Sequence, residues 1–125
     1  MLIEVSIGEI VDKITILSIK LRKIKNLEKL GNIRREYGML KSSLDRAGIV
    51  VDPKYYRELE TVNLKLWDIE DKIRRKEAEK EFDAEFIQLA RSVYINNDER
   101  AAIKRKLNLS HGSELVEEKE YADYS

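Results

Sequence analysis

The chain has no cysteine, one histidine, one proline and five glycines in 125 residues. Without thiols there are no disulfides, zinc–thiolate sites, iron–sulfur clusters or thiol nucleophiles, and with His111 alone a histidine-rich metal site is excluded too. A metal here would have to be a hard ion such as magnesium or manganese on carboxylates; no metal or cofactor is expected. An excess of charge of one sign is also lacking. The 24 basic side chains are balanced by 24 acidic ones, so no long-range field draws in nucleic acid or anionic lipid. The most apolar stretch, Ile14 to Leu21, is interrupted by Thr15, Ser18 and Lys20, and Met1-Leu2-Ile3-Glu4-Val5 carries no basic leader. Neither a signal peptide nor a membrane span is expected, and the chain reads as cytoplasmic.

What is abundant is charge, 38% of residues against roughly a quarter in an average soluble domain. With so few turn formers, this points to a few long helices in one domain. Ser6 with Glu9 has the spacing of a capping box, and Ile7, Ile10, Ile14, Leu17, Leu21 and Ile24 follow at helical steps. A second stripe, Leu30, Ile33, Tyr37, Leu40, Leu44 and Ala47, stops at Gly48. Gly38 inside it should cost about 1 kcal/mol relative to alanine unless a neighbouring backbone needs the space. Asp52-Pro53 opens a third helix with the stripe Tyr55, Leu59, Val62, Leu66, Ile69 and Ile73. Asp83 caps a fourth, which stays helix-compatible to Ser110-His111-Gly112. The expected fold is all-α: four long helices in an up-down-up-down bundle over residues 1–112, with an acidic C-terminal tail over 113–125. A long helical hairpin or a coiled-coil-like dimer is the alternative. Leu115, Val116 and Tyr121 would order that tail if they find a groove.

Several segments carry a resemblance. They are Glu4-Val5-Ser6-Ile7-Gly8-Glu9-Ile10-Val11-Asp12-Lys13-Ile14-Thr15-Ile16-Leu17, Leu66-Trp67-Asp68-Ile69-Glu70-Asp71, Ala90-Arg91-Ser92-Val93-Tyr94 with Asn97-Asp98, Ala101-Ala102-Ile103-Lys104-Arg105, and Gly112-Ser113-Glu114-Leu115-Val116-Glu117-Glu118-Lys119. Together the chain resembles a family of small uncharacterised bacterial and phage proteins, sometimes encoded near glycosyltransferase or surface-polysaccharide genes. The resemblance implies one helical domain and a polysaccharide-related context, and it carries over no catalytic residue. The chain departs from the family pattern at Ile7, where proline is usual, and at Gly38.

Two polar lines interrupt the apolar pattern. On helix 4 the inward stripe Leu89, Val93, Asn96, Arg100, Ile103, Leu107 includes an amide and a guanidinium, which cost energy in a core unless paired. Either these residues, with Arg91, Asn97 and Asp98, grip a carboxylate or phosphate, or Arg100 sits in an internal salt bridge, or the helix breaks at Asn96-Asn97 and restarts with Asn97 as cap. On helix 3, Asn63, Trp67, Glu70 and Arg74 form a line in which tryptophan could cover a ligand ring; the plainer reading is the rim of the core, with Glu70 and Arg74 an i,i+4 pair. Carboxylate pairs Glu9/Asp12 and Asp68/Asp71 have the spacing used by helical magnesium pyrophosphohydrolases, but a parallel placement of helices 1 and 3 separates them by about 25 Å at 1.5 Å per residue. The basic run Arg100, Lys104, Arg105, Lys106 lacks interleaved aromatics and precedes an acidic tail, so internal pairing is expected. His111, at a helix end, is expected to contact terminal carbonyls.

Helix 1 also has a second apolar face, Ile16 and Ile19, which demands a partner from helix 4, the tail or a second subunit. The expected function is a non-enzymatic protein-interaction module acting as a homodimer. The alternative is a domain that binds or acts on a small anionic ligand such as a nucleotide or nucleotide sugar at Asn63, Trp67, Glu70, Arg91, Asn96, Asn97 and Arg100.

Overall fold

A computed structural model describes residues 1–113 and 117–124. Among these, the chain is all-α: α1 (Ile7–Lys23), α2 (Leu27–Arg46), α3 (Pro53–Glu79) and α4 (Ala84–Ser110). Each helix starts where a short polar side chain can receive an orphan amide. Ser6 Oγ accepts from Glu9 N–H at 3.1 Å, Asn26 from Lys29 at 3.0 Å, Asp52 from Lys54 at 2.9 Å and Asp83 from Phe86 at 2.9 Å. Helix α2 ends before Gly48 at φ +69°, and α3 ends on Lys80, a left-handed residue at φ 57°. Helix α4 runs without a break through Asn96-Asn97. At its end the His111 backbone amide, not the imidazole, serves the Leu107 carbonyl, and His111 Nε2 is buried with no hydrogen-bond partner among the described residues. Among the described residues no helix is long and apolar enough to cross a membrane. Of the residues expected to seat the tail, Leu115 and Val116 lie outside the described residues, and Tyr121 is 76% exposed.

Helix α1 is the centre of the fold. It packs against each of the other three helices, α3 packs against α4, and α2 packs against α1. Asp12 and Arg22 are ten residues apart on α1, yet their partners Asn63 and Glu60 are neighbours on α3, so α1 lies across α3 instead of running along it. Val11, Ile14, Leu44, Leu59, Val62, Ile103 and Leu107 form the continuous core. The second apolar face of α1 is used inside the chain: Ile19 is 1% exposed, while Ile16 is half-buried.

Burial divides α3 and α4 into two halves. The buried residues of α3 fall between Leu59 and Asn63, and those of α4 between Ile103 and Asn108. Beyond them, residues 64–79 and 84–99 form a two-helix arm whose seam, including Leu66, Ile69, Ile73, Phe86, Leu89 and Val93, is only half-buried. The arm's tip is clasped by Lys76, whose ammonium contacts Glu81 at 3.1 Å, Asp83 at 2.9 Å and Glu85 at 3.1 Å. Phe82 packs edge-to-face on Phe86 there, centroids 5.2 Å apart.

Two glycines predict opposite outcomes. A Cβ on Gly8 would sit 2.6 Å from the Lys104 carbonyl oxygen and 2.9 Å from Asn108 Oδ1, whereas one on Gly38 meets nothing within 4 Å. Gly8→Ala should therefore destabilise the fold by about 1–3 kcal/mol, the range for overpacking a tight contact. Gly38→Ala should stabilise it by about 1 kcal/mol through helix propensity. Urea unfolding of both variants measures the difference.

Candidate functional site

Asp12 stands in the apolar stripe of α1 between Val11 and Ile14 and is 1% exposed. A carboxylate removed from water costs several kcal/mol unless charge and hydrogen bonds replace the solvent. Two other helices supply them. Arg100 of α4 approaches side-on, donating through Nε to Asp12 Oδ1 at 2.9 Å and through Nη2 to Oδ2, the bidentate geometry favoured for guanidinium and carboxylate. Asn63 of α3 donates from Nδ2 to Asp12 Oδ1 at 2.9 Å and to Thr15 Oγ1 at 2.8 Å. Thr15 Oγ1 in turn donates to the Asp12 carbonyl at 2.7 Å. The bond to Asp12 raises the Arg100 pKa above its ordinary value against the opposing pull of burial, so the guanidinium stays charged.

The polar contact between α1 and α4 continues at four-residue steps from Arg100. Lys104 is nearly buried and bridges Glu9 at 2.8 Å and Glu117 at 3.0 Å. Burial works against its charge, but the Glu9 and Glu117 carboxylates outweigh it and raise its pKa. The same bond holds the Glu117 carboxyl below its ordinary value. The Glu9 side chain is thus spent on Lys104 and not on the cap amide expected from the Ser6/Glu9 spacing, because a nearly buried ammonium needs a counter-charge more than a neutral amide needs an acceptor. One turn further, Asn108 Oδ1 accepts from Gly8 N–H at 2.7 Å, and Ile7 N–H is donated to Ser113 Oγ at 3.3 Å. Isoleucine at position 7 therefore keeps a donor that proline would lack. The described part of the tail lies back along α4: Glu118 pairs with Arg105, Tyr124 stacks edge-on to Tyr94 at 5.2 Å, and its hydroxyl bonds Asp98.

Beside this network a cleft of about 420 Å³ opens between α1, α3 and α4, lined by Ile16, Ile19, Asn63, Leu66, Trp67, Glu70, Asp71, Arg74 and Arg100. Four of the seven candidate residues, Asn63, Trp67, Glu70 and Arg100, meet in it. Asn97 lies instead in a small polar hollow with Glu9, Lys104 and Glu117. The other two stand apart: Asn96 donates to the Ser92 carbonyl of its own helix at 2.8 Å, and Arg91 is exposed on α4. The polar side chains of the cleft already have partners. Asn63 and Arg100 serve Asp12, Glu70 bonds Arg74 at 3.4 Å, and Asp71 bonds Arg75 at 2.7 Å. Sequence reasoning weighs Asp12 only as half of a carboxylate pair with Glu9, and it misses the burial of Asp12 together with Thr15 and Asn108. The available signal was an aspartate and a threonine three residues apart inside an otherwise isoleucine- and leucine-rich stripe. Among the described residues no group of three or more histidines and carboxylates is placed to hold a metal ion.

In comparison with known proteins, the profile described as Family of unknown function (DUF6165) matches residues 1–124. No curated protein and no solved structure matches the chain.

Two outcomes are expected. Arg100→Met, which leaves the Asp12 carboxylate buried and uncompensated, should cost about 3–5 kcal/mol in urea unfolding, and adding Asp12→Asn should recover part of that loss. Separately, because the folded pKa of Glu117 lies below its unfolded value, tail docking is present above the ordinary glutamate value of 4.5 and is lost as pH falls through the folded value. Lys104 is raised, so its share persists through neutrality and fades only in strong alkali. The side-chain NMR shifts of Tyr124, which packs on Tyr94, should move toward those of a free tail on acidification and stay constant between pH 6 and 8.

Proposed function

The chain belongs to the family of unknown function DUF6165, and from the geometry of its site we propose that it is a non-enzymatic helical interaction module, acting as a homo-oligomer, with the Trp67 cleft as its contact surface. One observation carries this reading: the inner polar side chains of the cleft, Asn63 and Arg100, are committed to the buried Asp12, the exposed Glu70 and Asp71 pair only with arginines of their own helix, and the apolar floor is open. Acid–base or nucleophilic chemistry needs a group free to exchange a proton with, or attack, a bound substrate. Asn63 and Arg100 are instead spent on holding Asp12. What remains is Ile16, Leu66 and Trp67 framed by charged side chains, the pattern of a contact patch with an aromatic anchor and a polar rim.

A second reading has one observation in its favour. Arg74, with 81% of its side chain exposed, faces the same cleft as Arg100, and two guanidinium groups on one cleft suit a small anionic ligand such as a nucleotide or nucleotide sugar.

One experiment separates the two readings, because Trp67 is the single tryptophan of the chain. Its emission, followed as the protein is concentrated and as nucleotides and nucleotide sugars are titrated, reports occupancy of the cleft. The interaction module expects a blue shift on self-association and none with the small molecules. A saturable response to a nucleotide or nucleotide sugar, abolished by Arg74→Ala, would install the ligand reading, and an emission unchanged in every titration would remove the cleft as a binding surface.

A further inference from the structure

Resting on the reading of the cleft as a contact surface, we propose that its occupant is the arm tip of a second copy of this chain, docked antiparallel about a twofold axis level with Lys72. Three features of the molecule converge on this arrangement. The first is charge. Along the arm, α3 carries an acidic block, Asp68, Glu70 and Asp71, followed directly by a basic one containing Arg74 and Arg75. In the isolated chain these blocks pair within their own helix, Glu70 with Arg74 and Asp71 with Arg75, on side chains that are about half exposed or more. Laid antiparallel on a copy of itself, the acidic block of each helix faces the basic block of the other, and the contact is self-complementary and closes as a dimer.

The second feature is register. With Glu70 opposite Arg74 of the second copy, the axis falls at position 72, and by symmetry the pair forms twice. Helix α3 of the second copy then ends, at Glu79, seven positions past the axis, level with Lys65 of the first and next to Leu66 and Trp67, which line its cleft, and Phe82 follows in the turn beyond. Phe82 is 55% exposed, a large aromatic that the described residues of its own chain do not fully cover. It lies beyond the end of α3, which itself stands twelve residues, about 18 Å, past Trp67, so it cannot fill its own cleft and can fill only another's.

The third is rigidity. Lys76 holds Glu81, Asp83 and Glu85 together at the tip, and Phe86 backs Phe82 edge-to-face. The aromatic is presented by an ordered turn, so docking costs little ordering.

The test uses charge reversal in separate chains. Wild-type protein should sediment as a dimer of 14.7 kDa chains. Glu70→Arg alone and Arg74→Glu alone each place like charges opposite one another across the axis, and each should weaken association by about tenfold or more while leaving the circular dichroism spectrum intact, since both side chains are exposed. Mixed together, the two variants restore both opposite-charge pairs across the interface, and a heterodimer should form. This rescue cannot arise from pairing within a helix, because both variants are like-charged there. Phe82→Ser should likewise weaken the wild-type dimer by about tenfold and shift Trp67 emission to the red. A wild-type chain that stays monomeric at 200 µM, or folded variants that show no heterodimer on mixing, would overturn the second copy as occupant and leave the cleft itself to be judged by its own titrations. A dimer indifferent to Phe82→Ser, with Trp67 emission unchanged on association, would show that copies meet elsewhere and would overturn the cleft reading as well.

Discussion

An ionised carboxylate at the centre of a helical core is the constraint around which this fold is arranged. Asp12 can be buried only if donors arrive from outside its own helix, and they come from two others: the guanidinium of Arg100 on α4 and the amide of Asn63 on α3. Apolar packing tolerates small slips of one helix along another, because methyl groups are not particular about their neighbours. A bidentate ion pair and a two-acceptor amide are. The network contributes little net stability, since desolvation takes back much of what the charges return. Its contribution is to fix the axial position of α1 on both partners at once.

The same helix contact explains why α4 reads poorly as an amphipathic element. Its face toward α1 is a polar ladder, Arg100, Lys104 and Asn108, opposed by Asp12, Glu9 and the Gly8 amide. Gly8 has no side chain because the Lys104 carbonyl occupies the place where a Cβ would be. With the backbones this close, Asn108 can serve as a cap for the start of α1 from a hundred residues away, and Lys104, drawn inward, recruits Glu117 and anchors the chain's return along α4.

Much of this architecture was legible in the residues. Ser6, Asp52 and Asp83 cap the helices expected of them, the apolar stripes supply the core, and the line Asn63, Trp67, Glu70 and Arg74 does face one cleft. The inward placement of Arg100 on a continuous helix was among the readings the pattern left open. What periodicity does not carry is the identity of the residue across the interface. It flags Arg100 as anomalous but says nothing of Asp12, because an aspartate in an exposed first turn and one in a core look alike until the neighbouring helix is placed. For the same reason the Ser6/Glu9 spacing points to a local amide when a distant lysine claims the carboxylate, helical steps group Arg91 and Asn96 with side chains they do not meet, and the second apolar face of α1 gives no sign of whether its cover is internal.

The separation of a dense base from a two-helix arm has an evolutionary consequence. The Asp12 network and the core lie below residue 64 on α3 and above residue 99 on α4, and the tip is closed by contacts within ten residues of one another, Lys76 to Glu85. Matched insertions or deletions of whole helical turns between these two regions would change the reach of the arm without altering a single contact in the base. Arm length is thus a trait on which selection can act independently of folding, a ruler attached to a fixed socket.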